Sequence, residues 1–207
     1  MSAIAIVDYG MGNLGSVANA FARLGVPCET TADPAKLRGA RAIVLPGVGA
    51  FKAAMQNLRR RGLDKALDEE VRGRGTPFLG ICLGLQLIAQ DSTEHGFEQG
   101  LGWIEGHVER ISPADAQPVP HVGWNELQPA APSPLFDRVG TGAHFFFDHS
   151  YHLRCPDELV TARCDYGGRW VAAVQKGHIH AVQFHPEKSQ RNGLRLLRNF
   201  TRWLETR

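Results

Sequence analysis

The sequence lacks several features that would place it quickly in a class of proteins. Its four cysteines include no C-x-x-C pair, so neither a disulfide scaffold nor a paired-cysteine zinc site is indicated. No apolar run reaches the roughly 20 residues that cross a bilayer, and the first residues show no basic and apolar leader pattern. We therefore expect a cytoplasmic protein with free thiols.

A strong charge of one sign is also absent, since 23 Lys and Arg oppose 21 Asp and Glu for a formal net charge of +2. This balance gives no reason to expect nucleic acid or a membrane surface as a partner. Arginines cluster at residues 59–61 and 191–207, which we interpret as solvated helix faces, with a docking surface for an acidic partner as the alternative. The 207 residues are enough for one well-buried domain, and we predict a single domain over residues 1–207.

The first half of the chain alternates strand and helix patterns. Apolar strands are predicted at residues 3–7 and 42–45 and in the run that leads into residue 82, and a short strand is predicted at residues 28–31. Helices are predicted between them at residues 14–24, 50–60 and 63–72, and after residue 82 at residues 83–89. Strands separated by helices imply right-handed βαβ units and a mainly parallel sheet.

The second half predicts shorter strands, several of them antiparallel, and a closing amphipathic helix over residues 192–204. The strand candidates are residues 107–111, 122–127, 145–147, 160–164, 171–175 and 179–184. No linker separates the halves. We therefore predict an α/β domain with one mainly parallel mixed sheet and helices on both faces, in which ligands bind at the carboxyl ends of the strands.

The most informative segment is residues 80–84, Gly-Ile-Cys-Leu-Gly, between a predicted strand and a predicted helix. A Gly-x-nucleophile-x-Gly turn is a nucleophile elbow, which lifts the middle side chain clear of the backbone. Gly80 and Gly84 are expected because a Cβ at either position would collide with the sharp turn. Cys82 would lie at a helix N-terminus, which favours the reactive thiolate. Since a lone free cysteine is usually a small core residue, its assignment depends on finding a base.

A candidate base with an orienting carboxylate follows the last predicted strand, at His185-Pro186-Glu187. His185 would lie at the same edge of the sheet as Cys82, because both follow predicted strands. Pro186 favours an extended step, and side chains two residues apart in an extended segment point to the same side. Glu187 is therefore predicted to contact the imidazole of His185, giving a catalytic triad of Cys82, His185 and Glu187.

Two places are predicted to donate the backbone N–H groups of an oxyanion hole. The first donor is the N–H of Leu83, the residue after the nucleophile. The second comes from residues 46–49, Pro-Gly-Val-Gly, hereafter the oxyanion loop, where Val48 and Gly49 would turn their N–H groups inward. An ordinary strand-to-helix loop is the alternative interpretation.

Cofactor and metal sites are the weaker interpretations of the remaining motifs. Residues 10–15 match a dinucleotide-binding fingerprint loosely, but no acidic residue ends a second strand at the expected distance. The histidines form two clusters that a zinc ion would suit, namely His178, His180 and His185, and His144, His149 and His152. Because no H-E-x-x-H motif accompanies them, metal is the minority alternative, and we expect neither a metal nor a cofactor.

Taken together, these residues resemble the class I, triad-type glutamine amidotransferases. The elbow with Gln86 and the His-Pro-Glu segment are signatures of that family, and the likeness runs from end to end of the chain. Within the family, the chain resembles in particular the glutaminase subunits of imidazole glycerol phosphate synthases. The segments that carry this are residues 8–14, 46–51, 121–125, 147–151 and 185–189. One departure is Asp148, where that group usually has an apolar residue.

The resemblance implies a flavodoxin-like fold and a cysteine-dependent glutaminase. Cys82 would attack the side-chain amide of glutamine, and His185 would protonate the leaving ammonia and then activate water. The resemblance further implies a substrate pocket formed by Gly49, Gln86, Ser150 and Tyr151. The amide and carbonyl of Gln86, one helical turn beyond Cys82, would hold the zwitterionic end of glutamine.

The resemblance also implies a partner, a (β/α)8-barrel cyclase subunit that forms a heterodimer and receives the ammonia in histidine biosynthesis. A peptide flip in the oxyanion loop, favoured by the partner, would couple the two sites. Two alternatives differ in class. One is a cysteine hydrolase of the peptidase-like α/β group, or a glutaminase of another pathway. The other is a binding module that keeps the fold without turnover.

Overall fold

The computed structural model describes residues 3–114 and 116–207. The strands are β1 Ile4–Val7, β2 Cys28–Thr31, β3 Ala42–Gly47, β4 Phe78–Cys82, β5 Asp91–Ser92, β6 Glu98–Gln99, β7 His107–Arg110, β8 His121–Glu126, β9 Gln128–Pro129, β10 His144–His149, β11 Tyr151–Arg154, β12 Val160–Asp165, β13 Arg169–Lys176 and β14 Ile179–Val182. The α-helices are α1 Leu14–Arg23, α2 Phe51–Arg60, α3 Leu63–Leu67, α4 Leu83–Leu87 and α5 Gln190–Glu205. A π-helical segment, Asp68–Gly73, continues α3.

The main sheet has eight strands in the order β2-β1-β3-β4-β14-β13-β12-β9. Its first five strands are parallel, and the other three join antiparallel. Strands β1, β3, β4 and β14 are buried along their whole length, which explains their continuous apolar runs, because a central parallel strand is covered on both faces. The predicted α/β fold with a mixed, mainly parallel sheet is thus confirmed.

The two faces of this sheet build two separate parts of the core. Along β1, Ala5 and Val7 pack with the cluster that includes α2 and α3, whereas Ile4 and Ile6 pack with the cluster that includes α1 and α5. This split follows from the two-residue period of a strand. Helices therefore cover both faces, as predicted, and the strand ends stay open at the edge where the site lies.

The prediction that all strands share one sheet is wrong. Strands β10 and β8 form a two-stranded sheet, and β11-β7-β5-β6 form a four-stranded one. Strands β7 and β10 alternate buried and exposed residues, so each has one face available to solvent and pairs locally instead of joining the centre. The strands β5, β6, β9 and β11 were not predicted, because two to four residues are too few for a periodic pattern.

His180 is an ionisable group in the core under α5. The imidazole is fully buried with an edge-on contact to Trp203, the ring centroids lying 4.5 Å apart. Neither ring nitrogen has a hydrogen-bond partner within the described residues. Burial lowers the pKa of His180 from 6.5 to about 4. Because the unfolded chain binds this proton at a higher pH than the folded chain does, acid in this window destabilises the fold.

We expect the His180→Phe variant to lose less stability in acid than the natural chain. Between pH 6.5 and about pH 4, the single proton on His180 accounts for roughly 3 kcal/mol of the fall in the free energy of unfolding. Denaturant unfolding across that window measures it. The matched control is His144→Phe at an exposed strand position, which should follow the natural chain. Parallel curves for His180→Phe and the natural chain would contradict the assignment.

In the described parts of the chain, no helix combines the length and the apolar character that spanning a bilayer requires.

Candidate active site

The site lies where three neighbouring parallel strands end. Gly47 of β3 pairs with Cys82 of β4, and Val182 of β14 pairs with Ile81 of β4. The oxyanion loop, the elbow and the His-Pro-Glu segment therefore leave the sheet side by side. A cavity of about 480 Å³ opens at this edge. Its lining includes Val48, Gly49, Cys82, Gln86, Glu94 and Tyr151.

The elbow holds Cys82 in an unusual backbone conformation. Its φ is 54° and its ψ is −108°, a region that residues other than glycine seldom adopt and that is frequent at functional sites. A Cβ on Gly80 would lie 2.7 Å from the carbonyl oxygen of Gly84, and one on Gly84 would overlap the carbonyl oxygen of Leu45. Both glycines are thus sterically required. At Gly84 the reason is the close packing of α4 on β3 rather than the turn itself.

Helix α4 is shorter than predicted, Leu83–Leu87 instead of residues 83–89. The chain turns away after Ile88 and enters a loop bonded to residues 100–104. Five residues align few peptide dipoles, so the stabilisation of a thiolate by this helix is smaller than the sequence indicated.

His185 and Glu187 are in contact, with Nδ1 of the imidazole 2.8 Å from Oε1 of the carboxylate. Both side chains are 2% exposed. The contact was predicted from an extended segment, and that reason is wrong, because Pro186–Lys188 form a 3₁₀ turn. The turn brings the carboxylate under the ring. With the Nδ1 proton held by Glu187, Nε2 is left as the basic nitrogen.

The environment of His185 favours the protonated ring. Burial by itself lowers the pKa of His185, but the nearby Cys82 sulfur and the Glu187 carboxylate together raise it, to about 10. Nε2 has no hydrogen-bond partner among the described residues, and the Cys82 sulfur is the strongest influence that favours a proton on the ring. These surroundings therefore stabilise the imidazolium that forms when the Cys82 sulfur gives up its proton.

Gln86 contacts the protein through both of its amide hydrogens. Nε2 donates to the backbone carbonyl of Tyr151 at 2.9 Å and to Oε1 of Gln183 at 3.2 Å. Both hydrogens of this nitrogen therefore bond to the protein in this structure, and the predicted substrate contact of Gln86 stays a prediction. Only the carbonyl oxygen of Gln86 is left for a ligand at this side of the cavity.

The other predicted site residues lie at the cavity. Leu83, Gly49, Ser150 and Tyr151 all contribute to its lining. Val48 does so too and is 41% exposed. The oxyanion loop packs directly on the elbow, since a Cβ on Gly47 would come within 2.9 Å of the Leu83 Cβ. Leu83, Val48 and Gly49 therefore line the same cavity as Cys82, and their role as oxyanion donors stays a prediction.

Asp148 lies at the rim of the same cavity. Its carbonyl oxygen is 3.8 Å from the sulfur of Cys82. Its side chain, 46% exposed, points to Lys188 with an Nζ to Oδ2 distance of 3.9 Å. An exposed ion pair of this length adds little stability. The main contact of this position with the nucleophile is thus made by the backbone, which any residue supplies.

The two histidine clusters considered for zinc do not form metal sites. His178 contacts the carbonyl oxygen of Val71, His144 that of Gly142, and His149 that of Tyr151. Within residues 3–114 and 116–207, no three possible ligands among His, Cys, Asp and Glu come together to hold a metal ion. The strand face that His178 and His180 were predicted to share therefore does not make them ligands of one metal ion.

Several residues of the site were missed from the sequence, among them Glu94, Arg110 and Gln183. Glu94 and Arg110 line the cavity, and Gln183 is close to Cys82. Glu94 accepts the backbone N–H of Phe51 at 2.6 Å, at the start of α2. Glu94 and Arg110 carry no signal in the sequence, because a loop and a short strand bring them in from far along the chain. Gln183 had one, since it lies on the predicted strand of residues 179–184, two residues before His185, and such residues were expected to share a side.

Comparison with known proteins gives the family. The sequence profile of the family Glutamine amidotransferase class-I matches residues 5–203. Imidazole glycerol phosphate synthase subunit HisH 1 of Campylobacter jejuni (strain RM1221) is 46% identical over 199 residues, 96% of this chain and 99% of the relative. Subunit HisH of Moorella thermoacetica is 48% identical over 201 residues, 97% of this chain and 94% of the relative. The chain belongs to the HisH group of class-I glutamine amidotransferases.

Solved structures agree with the fold of this amidotransferase. A crystal structure of a glutamine amidotransferase superposes with a TM-score of 0.76 at 22% identity, covering 97% of this chain and 98% of that one. PurLQS from Thermotoga maritima superposes with a TM-score of 0.74 at 17% identity, covering 99% of this chain and 100% of that one. At these identities the likeness concerns the fold alone. The HisH relatives are what place the amidotransferase in its group.

Proposed function

We propose that this amidotransferase is the glutaminase subunit of an imidazole glycerol phosphate synthase and passes ammonia to a cyclase subunit. The observation that carries the proposal is the meeting of the Cys82 elbow with the His185–Glu187 pair at one cavity, beside the oxyanion loop. The names of the HisH relatives support the assignment to this synthase.

The proposed reaction proceeds through a thioester. The Cys82 sulfur attacks the side-chain amide carbon of glutamine as its proton passes to Nε2 of His185. The N–H groups of Leu83 and of the oxyanion loop stabilise the negative oxygen. The C–N bond then breaks while His185 protonates the leaving nitrogen, which departs as ammonia. Water, deprotonated by His185, attacks the thioester, and the thiol leaves with that proton as glutamate forms.

The charges of the cavity suit an amino acid as substrate. Its lining holds carboxylates at Glu94 and Asp148 and a guanidinium at Arg110. Glutamine carries an ammonium and a carboxylate on its α-carbon, so a site with both signs of charge binds each group by its opposite. We propose that the carbonyl of Gln86 and the backbone near Gly49, Ser150 and Tyr151 complete this binding.

A cyclase partner follows from the chemistry of the product. Ammonia in neutral water is mostly ammonium, which is not a nucleophile, so the product has to be delivered without exposure to solvent. A (β/α)8-barrel cyclase docked over the cavity in a heterodimer would provide that path. The exposed side chain of Val48 at the cavity lining is a surface that such a partner would cover, next to the loop whose conformation it would control.

We expect glutamate release to increase at least about tenfold when the purified chain is assembled with the cyclase and the nucleotide ligand of that cyclase. The partner would favour the oxyanion loop conformation that points an N–H into the hole. Glutamate production and mass-spectrometric labelling of Cys82 by an electrophilic glutamine analogue measure this. Full activity of the chain alone would contradict the coupling. If Cys82 stays unlabelled in the complex, another hydrolase class becomes the better explanation.

A further inference from the structure

We propose that Gln183 is a further catalytic residue, whose side-chain amide donates a hydrogen bond to the sulfur of Cys82 and stabilises its thiolate. The inference rests on the proposed function, in which Cys82 is the nucleophile. Gln183 follows β14 directly and is wholly buried, with 0% exposure. Its Nε2 is 3.7 Å from the Cys82 sulfur.

The orientation of the Gln183 amide is determined by its neighbours. The carbonyl oxygen of Tyr151 can only accept, so the group that Gln86 places 2.9 Å from it is the amide nitrogen. The second hydrogen on that nitrogen then points to Gln183 at 3.2 Å, which makes the near atom of Gln183 its oxygen. The nitrogen of Gln183 therefore faces the sulfur. The Tyr151 carbonyl thus sets the direction of each hydrogen bond in the series that runs through Gln86 and Gln183 to Cys82.

The Tyr151 carbonyl is itself held from a second side. Nδ1 of His149 lies 2.8 Å from this oxygen and has to carry the hydrogen. Burial lowers the pKa of His149 to about 3, so the ring is neutral and its Nε2 is an acceptor, 3.1 Å from Nδ1 of His121. The Tyr151 oxygen thus remains an acceptor in a fixed position, and the side-chain amides of Gln86 and Gln183 keep the orientation described above.

Ionisation of the sulfur needs hydrogen-bond donors, and besides the protonated ring of His185 the side-chain amide of Gln183 is the donor that the described residues place at the sulfur. The second hydrogen-bonding contact of the sulfur in this part of the chain is the carbonyl oxygen of Asp148, at 3.8 Å. That oxygen can accept from the thiol but repels the thiolate. Helix α4 offers only five residues of aligned dipoles, and Cys82 is 5% exposed, so water contributes little. On loss of its proton to His185, the sulfur exchanges a contact with Asp148 for the donor of Gln183.

The test follows the reaction of Cys82 with iodoacetamide as a function of pH. We expect Gln183→Met, which keeps the length and removes the donor, to slow the reaction about tenfold near neutral pH and to move the profile up by about one pH unit. Gln86→Met should shift it in the same direction by less, since it removes only the group that orients Gln183. Gln56→Met, an exposed position on α2, is the matched control and should leave the profile unchanged.

The reaction is followed by mass spectrometry on the peptide that contains Cys82. Burial raises the pKa of Cys164 to about 12 and of Cys155 to about 11, so these thiols react slowly in the same range. In the complex with the cyclase, Gln183→Met should lower kcat for glutamine with little change in KM, because the lost bond acts on the sulfur and not on substrate binding.

An unchanged pH profile in folded Gln183→Met would overturn the proposal. Folding is checked by the melting temperature, and if that variant does not fold, the profile of Gln86→Met decides in the same way. Iodoacetamide needs no glutamine site, so the result is independent of the proposed function. If the pH profile shifts but the protein has no glutaminase activity, the proposed function is rejected and the contact of Gln183 with the sulfur is kept. If the protein is a glutaminase but the profile does not shift, only the role of Gln183 is rejected.

Discussion

Replacing Cys82 with alanine is expected to abolish glutamine-dependent synthesis in the assembled synthase and to leave synthesis from added ammonium salts intact. Without the sulfur no thioester forms, so the glutamine reaction falls by at least about a thousandfold, the scale seen when a nucleophile is removed. In the proposed assembly the cyclase site lies on the partner and would still accept ammonia from solvent. Product formation at saturating glutamine and at saturating ammonium measures the two reactions side by side.

The matched control for this prediction is Cys28→Ala. Cys28 is half-buried on β2 and is not among the residues that line the cavity, so both reactions should stay near their natural rates. Equal loss of the ammonium and glutamine reactions in Cys82→Ala would show that the substitution damages the complex as a whole. Persistent glutamine-dependent synthesis would remove Cys82 from the mechanism.

Gly84→Ala is expected to eliminate glutaminase activity and to destabilise the chain by roughly 2–4 kcal/mol. The added Cβ would occupy the position of the Leu45 carbonyl oxygen. This oxygen belongs to the backbone of the central strand β3, which cannot move without breaking its pairing with β4. Helix α4 would have to shift instead, and Cys82 with it. Denaturant unfolding and glutamate release in the complex measure both effects.

Gly15→Ala offers the same chemical change at a harmless position. Gly15 is on the exposed side of α1, and a Cβ there would meet no atom within 4 Å. Alanine is a better helix former than glycine, so the variant should be unchanged or more stable by up to about 1 kcal/mol. If Gly84→Ala had the same stability and the same rate of glutamate release as Gly15→Ala, the tight approach of α4 to β3 would be refuted.

The part of this site that could be predicted is the part encoded over a few neighbouring residues. The elbow is such a case, since its glycines, its cysteine and the apolar strand before it are close neighbours along the chain. The contact of His185 with Glu187 is another, since only Pro186 separates the two. Even there the pattern predicted the contact and missed the 3₁₀ turn that makes it, because several backbone conformations bring such neighbours together.

The type of each central element and the chemistry at its end therefore follow from the amino-acid sequence. The continuous apolar runs of β1, β3 and β4 could satisfy their burial only in the middle of a parallel sheet, and that placed their carboxyl ends together.

The meeting of the remaining polar groups depends on the folded chain. Three features depend on residues that are far apart in sequence. They are the smaller sheets formed by the outer strands, the contact of Glu94 with Phe51, and the hydrogen bonds that link Tyr151, Gln86, Gln183 and Cys82. The sequence can place a buried amide near the site, as with Gln86, but it does not show which groups that amide contacts. Its partner and its orientation are fixed only when packing removes water and leaves each donor one acceptor within reach.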